Sequence, residues 1–348
     1  MAGQPITMQL AESGILTLIT LAGGSAMVSY ILGFGVWRML RAWQVIDKPN
    51  ERSSHVEPTP RGGGLGMMAL FLSGAAILSW GTGSGLSWVV TAAAGVLAAV
   101  SFWDDRHPLP WWVRLGVQFF TALAVTTGLR TGAGWEGIGL GVLLILLLAG
   151  YANAFNFMDG INGLAAGQAV ISAAGTVAVA VAGGVSPTHP AVLLSVLLAG
   201  VAAGFLPHNF PKARMFMGDV GSVPLGFLLM AFSVWIVHDG GHWLWMPLGA
   251  LHTGFILDTG VTMMRRILRG EKVYQAHRDH FYQHLIRAGW SHQAVTGSQM
   301  GMALGVLAMI VGITLRRPDW LPLALAATVV VWTAYFVFCE REFSRRDQ

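Results

Sequence analysis

The chain has 348 residues, 54% of them hydrophobic and 11% charged, with a mean hydropathy of +0.59 and a formal net charge of +4. A soluble domain is about one-quarter charged, so this composition excludes an ordinary soluble protein and predicts an all-α polytopic membrane protein. A single cysteine, Cys339, excludes an intramolecular disulfide framework and a cysteine zinc cluster.

Apolar runs long enough to cross a hydrocarbon core of about 30 Å recur along the chain. In order they predict about eleven transmembrane helices, over residues 14–36, 64–81, 86–102, 111–129, 137–155, 163–183, 189–206, 221–237, 243–264, 299–315 and 320–338. No Lys or Arg precedes Arg38, so the first run reads as a retained helix rather than a cleaved leader. With the N-terminus outside, 18 of the 21 Lys and Arg fall in inside segments, and only Arg130, Arg316 and Arg317 fall outside. This bias predicts an outside N-terminus and a cytoplasmic C-terminus. It also accounts for the basic balance without nucleic acid. One integral-membrane domain is expected to fill residues 1–348, and the inverted repeat of many transporters is not visible.

Five polar stretches fall on the predicted cytoplasmic face. The first, "DKPNERSSHVEPTPRGGG" (47–64), brings Arg52, His55 and Arg61 as cationic donors, with Gly62–Gly64 as a turn into the second span. "FWDDRHP" (102–108) holds Asp104 and Asp105, adjacent carboxylates whose joint ionisation calls for a cation. Mg²⁺ suits a couple of carboxylates with phosphate oxygens, although a solvated pair or a bridge to Arg106 answers the same pattern. "NAFNFMDGING" (153–163) interrupts two greasy runs with Asn, Asp and Gly.

In the fourth stretch, "HNFPKARMFMGDVGS" (208–222), Asp219 stands between glycines at the foot of a span. The helix beyond would offer free N–H groups to phosphate, unless Asp219 or Ser222 caps it. In the fifth, "RRILRGEKVYQAHRDHFYQHL" (265–285), His277, His280 and His284 share one face if the segment is helical. With Arg278 they suit a diphosphate, which needs charge neutralised on several oxygens. A zinc site finds no Cys and no H-E-x-x-H spacing. Metal-binding acids, phosphate-binding cations and a membrane frame together imply phosphoryl-type transfer by positioning and electrostatics.

These five stretches, in this order, resemble the polyprenyl-phosphate N-acetylhexosamine-1-phosphate transferases, part of glycosyltransferase family 4, over almost the whole chain. "NFMDGINGLAAG" and "FMGDVGS" are the most specific signals. The resemblance implies transfer of an N-acetylhexosamine 1-phosphate from a UDP-sugar to undecaprenyl phosphate, with release of UMP. The product would initiate O-antigen (lipopolysaccharide) or another cell-envelope polysaccharide, at the cytoplasmic face of a bacterial inner membrane. It implies Mg²⁺ as cofactor, with Mn²⁺ as its substitute. It implies Asp219 and Asp104 as metal ligands, and Asp104, Asp105 and His280 as the catalytic set. Asn156, Asp159 and Asn162 would face the uridine part and Phe216 the uracil. His277, Arg278, Arg265, Arg266, Arg52, His55 and Arg61 would face the phosphates. The expected partners are the UDP-sugar, the lipid phosphate, the bilayer, and a second copy of the chain through the small-xxx-small spacing of "GVAAG" (200–204).

Four positions depart from the family pattern. Asn162 stands where many members have a second Asp, Tyr282 and Gln283 where His is usual, and Ser53 where a basic residue is common. They favour the O-antigen-initiating branch over the muramyl-pentapeptide enzymes. The non-enzyme alternative is a membrane transporter of an anionic solute, for which Asp258, inside the ninth span, is the suggestive residue.

Overall fold

The computed structural model describes residues 6–47, 49, 57–132, 134–272 and 277–346, with side chains from Gly14 onward. Arg52, Ser53 and His55 therefore lie outside the described residues. The elements run α1 (Ile6–Ala42), β1 (Ile46–Asp47), β2 (Thr59–Pro60), α2 (Gly64–Thr82), α3 (Gly85–Asp104), α4 (Trp111–Gly128), α5 (Trp135–Phe157) and α6 (Leu164–Ala182). They continue with α7 (Pro190–Asn209), α8 (Asp219–Gly240), α9 (Trp245–Leu268), α10 (Phe281–Arg287), α11 (His292–Arg316) and α12 (Leu321–Arg346).

The eleven long helices coincide with the expected spans, and α10 is a short addition. Among the described residues, nine helices are long and apolar enough to cross a membrane, and α4 and α9 are not among them. Their sequences explain the shortfall. Arg114 and Gln118 sit in α4, and His252, Asp258, Arg265 and Arg266 in α9. The buried ones have partners inside the bundle: His252 is bonded to the Tyr151 hydroxyl at 2.8 Å and to Ser233 at 3.1 Å.

Helix α8 is the axis of the bundle. Every residue from Val220 to Val237 is buried, as a helix apolar on all sides requires. Helices α2, α3, α5, α6, α7 and α9 pack around it. The peripheral helices instead turn large apolar groups outward, among them Trp80, Trp135 and Leu323, which suits contact with lipid chains.

The "GVAAG" spacing is used within the chain. Gly200 and Gly204 lie against the α1 backbone, where a Cβ on Gly204 would collide with the Ala26 carbonyl oxygen. The motif closes the α1–α7 seam and offers no surface to a second copy. Gly204→Ala is accordingly expected to lower stability by about 1–3 kcal/mol, read as a drop in the thermal unfolding midpoint in detergent. Gly139→Ala is the control: a Cβ there meets nothing within 4 Å, and the expected change is within about 0.5 kcal/mol.

Candidate active site

The polar stretches converge at one end of the bundle, and backbone pairing brings two of them together. Phe216 N donates to Pro60 O at 2.8 Å, and Gly62 and Gly63 both donate to Phe216 O. Gly64 N donates to Met217 O at 2.8 Å. The segment entering α2 is thus zipped to the segment entering α8. Gly62 is required because its φ is +107°, a conformation that side chains other than glycine rarely adopt. This pairing fixes Arg61, whose guanidinium Nη2 lies 3.0 Å from Asp105 Oδ1 and 2.8 Å from Asp219 Oδ1.

Asp105 closes α3 and simultaneously caps α8, accepting from Asp219 N at 3.3 Å and Val220 N at 3.1 Å. The α8 N-terminus is therefore capped neither by Asp219 nor by Ser222, and its first N–H groups are not free for phosphate as the sequence had suggested. Gly218 makes room for this arrangement. Its φ is +75°, and a Cβ there would sit 2.9 Å from Asp105 Oδ2. Asp219, in the first turn of α8, adds a charge that favours the positive end of the helix dipole.

The two adjacent aspartates diverge. Asp104 turns to Arg114 Nη1 at 3.0 Å and accepts from Leu109 N at 2.6 Å. It is Asp105, rather than Asp104, that stands beside Asp219 and shares a cation with it.

Crowding of acids shows in their protonation. Burial and the Asp219 charge push the Asp105 carboxyl from 3.8 to about 6, against the pull of Arg61 and the two backbone N–H groups. Asp159 is pushed well up by burial, Asp219 and Asp105, with Arg61 opposing. For Arg61, desolvation is outweighed by Asp219, Asp105 and Asp47, so the guanidinium holds its proton more tightly than usual.

A cleft of about 370 Å³ opens beside this cluster. Asp104, Arg114, Asn156 and Asp219 line its polar end, and Leu97, Val100, Leu115, Val117, Val223 and Met263 its apolar walls. Asn156 Oδ1 accepts from Ser222 Oγ at 2.6 Å, which fixes the amide at the cleft. Gln118 and Asn153 also line the cleft and hydrogen-bond each other. Neither these two nor Arg114 was singled out from the sequence. Their signal was present: Arg114 and Gln118 stand at i and i+4 on an otherwise apolar helix, and Asn153 and Asn156 at i and i+3.

The break between α5 and α6 is a turn over residues 158–163, as expected. Asn162 ties it down, with its N bonded to His292 Nδ1, its amide donating to Pro211 O and its carbonyl accepting from Thr296 Oγ1. Asn209, missed in the sequence, accepts from Gly163 N at 2.7 Å and donates to Met215 O at 3.1 Å, joining this turn to the segment before α8. The hydroxyl of buried Tyr282 donates to Phe157 O at 3.0 Å and lies where a Cβ on Gly160 would stand.

The histidines do not share a helical face, because α10 starts only at Phe281. Asp258 starts it, accepting from His280 Nδ1 at 2.8 Å and from Phe281 N and Tyr282 N. Gln283 accepts from His280 N in return. The rings of His277 and His280 lie 4.9 Å apart, tilted by 33°, beside Phe157, a residue of the cleft wall. Burial, His280 and Arg266 pull His277 down to about 4. Arg278 is half-buried next to it. His284, Arg265 and Arg266 face another pocket, where Arg265 pairs with Glu340 and Arg266 with Asp279 and Glu271.

Known proteins resemble this chain over most of its length. The model of glycosyl transferase family 4 matches residues 87–237. A decaprenyl-phosphate N-acetylglucosaminephosphotransferase of Mycobacterium tuberculosis is 31% identical over 336 residues, covering 84% of this chain and 82% of the relative. A probable undecaprenyl-phosphate N-acetylglucosaminyl 1-phosphate transferase of Bacillus subtilis is 30% identical, covering 71% of each chain. A phospho-N-acetylmuramoyl-pentapeptide-transferase of Synechococcus sp. is 29% identical, covering 84% of this chain and 89% of the relative. The chain belongs to glycosyl transferase family 4, the polyprenyl-phosphate sugar-1-phosphate transferases.

Two outcomes follow from the geometry. Folded Asp105 binds its proton more tightly than the unfolded chain does, so its contribution to stability is largest below pH 3.8, falls up to about pH 6 and is flat above. In buffer with chelator, the unfolding midpoint of wild type should fall more steeply across that window than that of Asp105→Asn; equal slopes would refute the assignment. Separately, Gly160→Ala should destabilise through Tyr282, and Tyr282→Phe by about 1 kcal/mol through its lost hydrogen bond. In the double variant the loss should be smaller than the sum, and strict additivity would count against the contact.

Proposed function

We propose that the protein transfers an N-acetylhexosamine 1-phosphate from a UDP-sugar to undecaprenyl phosphate, releasing UMP. The observation that carries this reading is the cleft, which joins an apolar groove to the acid cluster at the end of the bundle. A polyprenyl phosphate has the same two parts, and the relatives are named for such acceptors. In the reaction, an oxygen of the lipid phosphate attacks the phosphorus bonded to the sugar. The bond from that phosphorus to the oxygen bridging to the uridine-bearing phosphate breaks, and UMP leaves. The lipid phosphate is largely a dianion at neutral pH, with a second pKa of about 6, so positioning and charge neutralisation are what the protein must supply.

The residues fit Mg²⁺. Asp105 and Asp219 present hard carboxylate oxygens to one shared cation position, held by the Arg61 guanidinium. Among the described residues there is no group of three or more His, Cys, Asp or Glu that could hold a metal, so two carboxylates and substrate phosphate oxygens would make the set. Asp219 would hold the ion, with Asp105 beside it, while Asp104, turned to Arg114, lines the same cleft. When bound, Mg²⁺ would neutralise charge on the diphosphate. Arg61 and Arg114 add cationic charge at the same end. Asn156, Asp159 and Phe216 serve the nucleotide, and His277, Arg278 and His280 the phosphates. Asn162 acts by holding the nucleotide turn to Pro211 and α11.

The positive-inside pattern supports a cytoplasmic position for this end and an outside N-terminus, and our reading takes residues 1–348 as one domain of a bacterial inner-membrane protein. O-antigen or a related envelope polysaccharide is the product line we favour, from the departures at Asn162, Tyr282 and Gln283. The transporter alternative loses its chief support, since Asp258 is fully buried and used as the cap of α10.

Purified protein with Mg²⁺ and undecaprenyl phosphate should release UMP from at least one member of a panel of UDP-N-acetylhexosamines, including GlcNAc, FucNAc and QuiNAc. No release across the panel by folded protein would overturn the reading. Asp219→Asn should cut turnover by about a hundredfold or more with little change in the unfolding midpoint; near-wild-type turnover would remove Asp219 from the machinery.

A further inference from the structure

A second polar pocket, of about 270 Å³, lies between the ends of α9, α10 and α12. It shares no lining residue with the cleft. Thr262, Arg265, Arg266 and Arg269 recur at i, i+3, i+4 and i+7 and form one face of α9. Met263, which lines the cleft, lies about 100° further round the same helix. Two environments thus flank the end of α9, and only one belongs to the proposed reaction.

The pocket has donors beyond those its own acids use. Arg265 is engaged by Glu340, and Arg266 by Glu271 at 2.8 Å and Asp279. Arg269 reaches Glu271 only at 3.9 Å and is mostly exposed. Arg287 lies over the Phe343 ring at 4.4 Å, with no carboxylate partner among the described residues. The His284 ring, nine-tenths buried, stacks on Phe343 at 4.5 Å and 13°, and its Nδ1 lies 3.6 Å from Glu340 Oε1 without a hydrogen bond. The buried Arg266 Nε has no hydrogen-bond partner. Buried donors without acceptors are costly, and several cationic donors around one small volume match a phosphate group.

The surroundings indicate where such a group would come from. Beside the pocket, Met264, Ile267 and Leu268 on α9 and Val337 and Phe338 on α12 are exposed apolar side chains. On a membrane-spanning chain they face hydrocarbon, so the pocket opens where acyl chains give way to headgroups. Basic pockets between helices at this level attract anionic lipids.

We propose that the α9–α10–α12 pocket is a second anion site, distinct from the cleft, that seats the phosphate of an anionic phospholipid through Arg269, Arg287 and His284. The test is thermal unfolding of the full chain in nanodiscs of phosphatidylcholine alone, of phosphatidylcholine with phosphatidylglycerol, and of phosphatidylcholine with added inorganic phosphate. Phosphatidylglycerol should raise the midpoint of wild type. The rise should vanish in Arg269→Gln/Arg287→Gln and persist in Lys212→Gln, a control at an exposed cation elsewhere on the polar end. If inorganic phosphate gives the same variant-sensitive rise, the anion site stands and its ligand is a soluble phosphate. If neither additive shifts wild type, or Lys212→Gln loses the rise as well, the site is refuted. Arg269→Gln alone changes only an exposed side chain and should diminish the rise if the double variant does not fold; an undiminished rise in it is equally fatal.

Discussion

The guanidinium of Arg61, held between Asp105 and Asp219, is the contact on which the polar end depends. Asp219 raises the proton affinity of Asp105 and of Asp159, and Asp105 raises that of Asp159 as well. Such a cluster repels itself unless a cation stands within it. Arg61 can do so only because the glycines after it let its backbone zip to Phe216 and Met217. The β-bridge, the turn at Gly62 and the ion pairs are one device that brings the starts of α2 and α8 to the end of α3.

Around that device, two of the functional stretches are held by a buried polar residue on a neighbouring helix. Asn209 connects the turn at 158–163 to the segment before α8. Asp258 organises the start of α10 and, with it, His280. These positioning groups make few contacts with the cleft themselves. They convert loops, which would otherwise be loosely placed, into extensions of rigid helices, the condition for catalysis by positioning.

Much of this was legible in the sequence. Hydropathy located the eleven long helices, and spacing identified the stretches that meet at one end. What escaped were pairings over long sequence distance. That Asp105 would cap α8 cannot be read from "WDDR", because nothing local says which of two adjacent carboxylates turns toward a helix 114 residues away. The histidine face failed for a related reason: a period-3.6 reading assumes continuous helix, whereas Asp258 begins α10 only after His280. The small residues at 200–204 were seen, but whether α1 or another chain covered them was a question of tertiary packing.

The polarity of α9 bears on how the molecule is made. A helix carrying His252, Asp258 and two arginines gains little by entering hydrocarbon alone. Its hydrogen bonds to Tyr151 of α5 and Ser233 of α8 exist only when those helices are already in the bilayer. Both precede it in the chain, so the order of synthesis delivers α9 to a waiting polar seam. His252 thus finds its partners in the order of synthesis, whereas Asp258 must wait for α10, which follows it in the chain.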